Sequence, residues 1–137
     1  METVSVSRTF DSPAGPIITA MTDIEPFMES AGFDAVTVDG DRFTIENNVG
    51  LLSLSLDLEL LDTDDTLAYE QVDGMFKSME TRYEVEEDDG TTTVTATTEF
   101  ELDASLVGPI LDATVVSRQR KKELTKQFEY LERVLDS

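Results

Sequence analysis

Leu124-Thr125-Lys126-Gln127-Phe128-Glu129-Tyr130-Leu131-Glu132-Arg133-Val134-Leu135 is the stretch that decides the fold. Leu124, Phe128, Leu131 and Leu135 recur at spacings of four, three and four, which puts them on one stripe of an α-helix. A stripe of that size has to be covered by another layer. Read outward, the helix is predicted from about Ser105, a good cap, to Asp136, with Gly108-Pro109 kinking or restarting it within the first turns. Nearly everything between residue 33 and this helix reads as strands, so the covering layer is a sheet.

The strands declare themselves by alternation. Val36 and Val38 lead into Asp39-Gly40-Asp41, a hairpin signal, and Phe43 and Ile45 return. After Asn47-Asn48-Val49-Gly50, the residues Leu52, Leu54, Leu56, Leu58 and Leu60 alternate with mostly polar ones, the clearest strand in the chain. Leu67, Tyr69 and Val72 form a shorter strand, whose stretch Leu67–Val72 is expected as an open sheet edge. Two long strands follow, Met75 to about Glu86 and Thr92 to about Leu102, joined through Asp88-Asp89-Gly90. At the other end, Val4, Val6, Arg8 and Phe10 share one face of a first strand. Ser12-Pro13 breaks it into two short helices, the first carrying Ile17, Ile18 and Met21 and the second Phe27 and Met28.

The predicted class is therefore α+β: a curved antiparallel sheet of about six to seven strands around a long C-terminal helix, with two short helices after the first strand, in one domain spanning 1–137. Extending the helix stripe backwards at about 100° per residue places Ser117, Ala113 and Ile110 on it, with Arg120 and Lys121 near its borders. The inner face is thus large and apolar at its C-terminal end and small or polar in the middle. A cavity between helix and sheet follows as the first functional hypothesis.

Composition narrows the function classes. Thirty carboxylates face ten cations, a net charge of −20, with no His and no Cys. That acidity exceeds what solubility needs, needs counter-ions to screen it, and is the balance expected of a halophile's salt-rich cytoplasm. A surface of this sign repels phosphate backbones, so nucleic acid is not an expected partner. Thiol chemistry and the His proton shuttle are both absent. No signal-peptide pattern opens the chain and no run has the length of a membrane span. A cytoplasmic protein without stable membrane insertion is expected. Asp62-Thr63-Asp64-Asp65 lacks the Gly and distant Glu of an EF-hand loop and reads as an acidic turn, so neither metal nor cofactor is expected.

The opening Val4-Ser5-Val6-Ser7-Arg8-Thr9-Phe10-Asp11-Ser12-Pro13-Ala14, followed by Ile17-Ile18-Thr19-Ala20-Met21-Thr22-Asp23, resembles the start of the START-like, or SRPBCC, superfamily. The resemblance implies a helix-grip fold with a deep pocket for lipids, polyketides, sterols, quinones or other apolar molecules. Where many polyketide cyclase/dehydrase and coenzyme Q-binding relatives carry a Trp-rich segment, this chain has Ile24-Glu25-Pro26-Phe27-Met28-Glu29 and no Trp.

The function expected is reversible, noncatalytic binding or transport of an apolar or amphipathic small molecule. The pocket is expected from Leu54, Leu56, Met75, Met79, Tyr83, Ala96, Thr98 and Phe100 on the sheet and Ala113 and Ser117 on the helix, with Phe27, Met28 and Ile110 at the mouth. Arg8, Tyr69 and Lys121 are the polar groups that could reach it. The alternatives are a cyclase/dehydrase-type enzyme using pocket Tyr and Arg with a buried carboxylate as base, and a protein-interaction module with no identified partner. Arg118, Arg120, Lys121, Lys122 and Lys126 hold half the positive charge within nine residues. They either pair with neighbouring carboxylates such as Glu123 and Glu129, or form an anionic head-group site or a docking surface for an acidic partner.

Overall fold

The computed structural model describes residues 1–49, 52–103 and 112–136. Seven strands make one antiparallel sheet: β1 (Glu2–Phe10), β2 (Ala35–Asp39), β3 (Arg42–Val49), β4 (Leu52–Leu60), β5 (Leu67–Asp73), β6 (Phe76–Asp88) and β7 (Thr91–Leu102). Their order is β1-β7-β6-β5-β4-β3-β2, a meander from β2 to β7 with β1 added beside β7. The sheet edges are therefore β1 and β2. Leu67–Val72 lies between β4 and β6 and is no edge, because β4 before it and β6 after it pair with its two sides.

Turn chemistry fixes the registers. Asp89 and Gly90 both take positive φ, 55° and 81°, the two-residue turn whose twist suits a hairpin. It aligns Tyr83 with Ala96 and Thr81 with Thr98. Val94, Ala96, Thr98 and Phe100 of β7 are all buried, as alternation requires. On β6 a bulge between Phe76 and Ser78 resets the parity, so that Phe76 and Met79 both face inward. The turn before it passes tightly behind β4: a Cβ on Gly74 would collide with Leu56 Cδ2 and Gln71 Oε1.

Two short helices, α1 (Ala14–Thr22) and α2 (Ile24–Glu29), cross from β1 to β2, and the long helix α3 (Ala113–Leu135) closes the chain. Pro13, with its φ of −66°, stands at the cap position of α1. Asp112 caps α3, its Oδ1 accepting from Val115 N at 2.9 Å. The described helix starts at Ala113, so Ser105, Gly108-Pro109 and Ile110 lie outside the described residues.

The buried face of α3 is Val116, Arg120, Glu123, Leu124, Gln127, Phe128 and Leu131. Its C-terminal half is closed to solvent: Leu124, Phe128 and Leu131 are fully buried, and Phe128 meets Phe10 edge-on at 6.3 Å between ring centroids. Among the described residues, no helix is long and apolar enough to cross a membrane.

Candidate functional site

Opposite the N-terminal half of α3 the two layers leave a space between them. The wall of the space left there is Phe33, Ile45 and Asn47, then Leu54, Leu56 and Leu58 of β4, Tyr69 of β5, Met75, Phe76 and Met79, and Val116, Gln119, Arg120 and Glu123 of α3. Its empty volume, mouth included, is about 590 Å³, of which about 50 Å³ admits the centre of a water-sized molecule. Phe33, Asn47, Leu54, Met75 and Gln119 are half-buried and form the rim, while Ile45, Leu56, Leu58, Phe76 and Met79 are buried behind them.

The helix side of this apolar space is charged. Arg120 and Glu123, with side chains only 8% and 7% exposed, pair through Arg120 Nη1 and Glu123 Oε1 at 2.8 Å. Arg120 Nη2 donates to the Tyr69 hydroxyl at 2.6 Å and to Thr81 Oγ1 at 3.2 Å. The second carboxylate oxygen of Glu123 accepts from Asn47 Nδ2 at 3.0 Å and from Gln119 Nε2 at 3.2 Å. Removing two ions from water is costly unless nearly every donor and acceptor is met, and here the facing sheet, with Gln119 of the helix, supplies the partners. One donor is left over: Arg120 Nε is buried with no partner.

Burial alone lowers the Arg120 pKa, but Tyr69, Glu123 and Tyr83 around it more than offset this and leave it raised, so the guanidinium stays charged. Tyr83 sits behind Tyr69, fully buried, its hydroxyl donating to Gln127 Oε1 at 2.5 Å. Burial and then the adjacent Tyr69 push its pKa well above the ordinary 10.0, against the lowering effect of Arg120. Gln127 in turn donates to the Phe27 carbonyl at 3.3 Å, tying α2 to α3.

Of the residues expected in the pocket, Leu54, Leu56, Met75, Met79 and Tyr69 come together on its wall. Tyr83, Ala96, Thr98 and Phe100 point to the same side of the sheet but lie fully buried outside that wall. Phe27 and Met28 are not at the mouth: both are fully buried, and Phe27 packs on Tyr83 at 5.4 Å between centroids. Ala113 and Ser117 are half-buried and off the wall; Val116 and Arg120 take the inner positions. Lys121 is exposed, since one residue further along a helix turns about 100° away from Arg120. Arg8 reaches the opposite flank of α3 and pairs with Glu132 at 3.4 Å.

Sequence reasoning did not find Asn47, Gln119 and Glu123. The available signal was Arg120 and Glu123 at i,i+3 on the border of an apolar stripe, a spacing at which opposite charges meet and can enter a core together.

No family model matches the chain, and no curated protein matches it. Its three-dimensional structure is similar to that of the Zhui aromatase/cyclase from a Streptomyces species, with a TM-score of 0.76 at 16% identity over 98% of this chain and 95% of that one. A protein of Thermus thermophilus superposes with a TM-score of 0.75 at 18% identity, covering 98% of each chain. A START superfamily protein from Mycobacterium smegmatis gives 0.64 at 15% identity over 97% of this chain and 93% of that one. At such identities the likeness is one of fold, and the chain has the helix-grip fold of these proteins, a curved antiparallel sheet closed around its C-terminal helix.

Proposed function

We propose that the protein reversibly binds an amphipathic small molecule, apolar over most of its length, in the space between α3 and strands β3 to β6. The observation that carries this reading is the wall itself: nine of its fourteen residues are Phe, Ile, Leu, Met or Val, and its polar members gather at one side around Arg120 and Glu123. Apolar walls with a few convergent polar groups are the common build of small-molecule sites. Each buried methylene of a ligand contributes up to about 0.8 kcal/mol before ordering costs. The space free as it stands is small, and the unbranched side chains of Met75 and Met79 can turn to enlarge it for an acyl or prenyl chain or a ring.

An enzyme of the cyclase or dehydrase kind is the second reading, favoured by Arg120 and Tyr69 as electrophilic groups on the wall and by the aromatase/cyclase among the structural neighbours. Glu123, the carboxylate at the site, accepts from three donors that stabilise its charge, which suits an anchor better than a base. Native mass spectrometry of the protein purified from its own host, with a solvent extract analysed alongside, tests the binding reading. A stoichiometric lipid, quinone or polyketide that is lost from Leu54→Trp, a variant that plugs the rim, is the expected result. A ligand-free protein that also fails to take up an apolar fluorescent probe would overturn it.

A further inference from the structure

We propose that the solvent face of α3 is a peripheral docking surface for an anionic lipid bilayer. The chain has ten cations. Arg8, Arg42, Lys77, Arg82 and Arg120 are each paired with a carboxylate. The other five, Arg118, Lys121, Lys122, Lys126 and Arg133, are all exposed, all on α3, and have no ion pair among the described residues. Carboxylates outnumber cations by thirty to ten, so scarcity of partners does not explain this.

Glu123, one of the two carboxylates expected to neutralise the cluster, is turned inward to Arg120, and Glu132 is taken by Arg8. Glu129 and Asp136 remain on the exposed side. Arg118, Lys122 and Lys126 follow one another four residues apart, so like charges stack along the helix and destabilise it. An anionic surface would relieve that repulsion.

The cationic face runs beside the mouth of the cavity. Lys122 is one turn beyond the rim residue Gln119, and Lys126 one turn beyond Glu123. The Lys126 amino group lies against Gly32, 2.9 Å from where a Cβ would stand, next to the rim residue Phe33. Across the mouth, Asp34 and Glu46 are exposed, which confines contact with an anionic surface to the helix side. Net repulsion over the rest of the molecule then orients the contact and makes it salt-sensitive. The choice of a bilayer over an acidic protein rests on the function proposed above, because an apolar ligand resides in membranes and helix-side docking sets the mouth at their surface.

Co-sedimentation with phosphatidylglycerol-rich vesicles, against pure phosphatidylcholine vesicles, at the lowest ionic strength at which circular dichroism shows the protein folded, is the test. Binding to the first alone is expected, and Lys122→Gln with Lys126→Gln should weaken it about thirty-fold. The control is Arg42→Gln with Lys77→Gln, which changes net charge equally at cations that are already paired and should leave binding nearly unchanged. Lys121→Gln with Lys122→Gln serves as a second pair that leaves the packing on Gly32 intact. Absence of wild-type binding, or equal loss in the control, overturns the proposal. Leu54→Trp separates the two ideas, since a plugged rim should abolish ligand uptake and leave vesicle binding in place.

Discussion

The two halves of α3 lie on one sheet, yet one half is sealed and the other open. Toward the C-terminus, Leu124, Phe128 and Leu131 share one buried cluster with Phe10, Ile17 and Met21, and all but Phe10 are fully buried. Toward the N-terminus, Val116, Arg120 and Glu123 occupy the same inner stripe, and the sheet opposite them is left partly uncovered. Helix α3 lies against β1 and β7 and stands off β3 to β6, and the inner side chains Val116, Arg120 and Glu123 do not fill the space between. Phe128→Ala should therefore cost about 4 kcal/mol, as a large buried side chain is replaced by a void, whereas Leu54→Ala, beside space already empty, should cost about 1 kcal/mol. Chemical denaturation midpoints at constant m-value measure both. Equal losses would mean that the open half collapses in solution.

The charged wall gives the next largest effect. Glu123→Leu strands the Arg120 guanidinium away from water and should destabilise the fold by about 3 kcal/mol. Adding Arg120→Met should restore most of that loss, since a buried ion pair exchanged for apolar residues of similar volume is often close to neutral. A double variant as unstable as the single one would show that Arg120 holds Tyr69 and Thr81 in place beyond neutralising Glu123. A single variant with no loss would show water standing in the cavity against the pair.

The sealed half was legible in the sequence and much of the open half was not. Alternation on β4 and β7, the Asp-Gly turns and the Leu124, Phe128, Leu131 spacing each obey a single local rule, and all the local rules agree. From Leu124 backwards, however, two paths keep a helical period. One leads to Ser117 and Ala113, the other to Arg120 and Val116. Hydrophobicity favours the first, because a lone arginine belongs outside. The second holds because the acceptors for Arg120 come from three separate elements: Glu123 on α3, Tyr69 on β5 and Thr81 on β6. Their convergence is tertiary, and no window of sequence contains it. The same reason puts Phe27 and Met28 in the core, where Gln127 and Tyr83 meet them across long stretches of chain.

The smallest effect concerns the seam between the halves, where Tyr83 lies behind the cavity wall and donates to Gln127. Its neutral phenol is the form the fold holds, because burial raises the pKa well above 10.0 while the unfolded chain releases that proton near the ordinary value. Between those two pH values the folded state binds more protons than the unfolded state, so stability is complete below about pH 10 and falls as pH rises, by up to about 1.4 kcal/mol per unit. Arg120 contributes nothing to this slope, since it is charged in both states over that range. Tyr83→Phe should cost about 1 kcal/mol at neutral pH, through the lost hydrogen bond to Gln127, and should flatten the alkaline limb. Denaturant melts from neutral to alkaline pH, with phenolate absorbance followed in parallel, measure both effects. An alkaline limb of the same steepness in the variant would mean that water entering from the open half already reaches Tyr83, and that the seam does not separate the two halves.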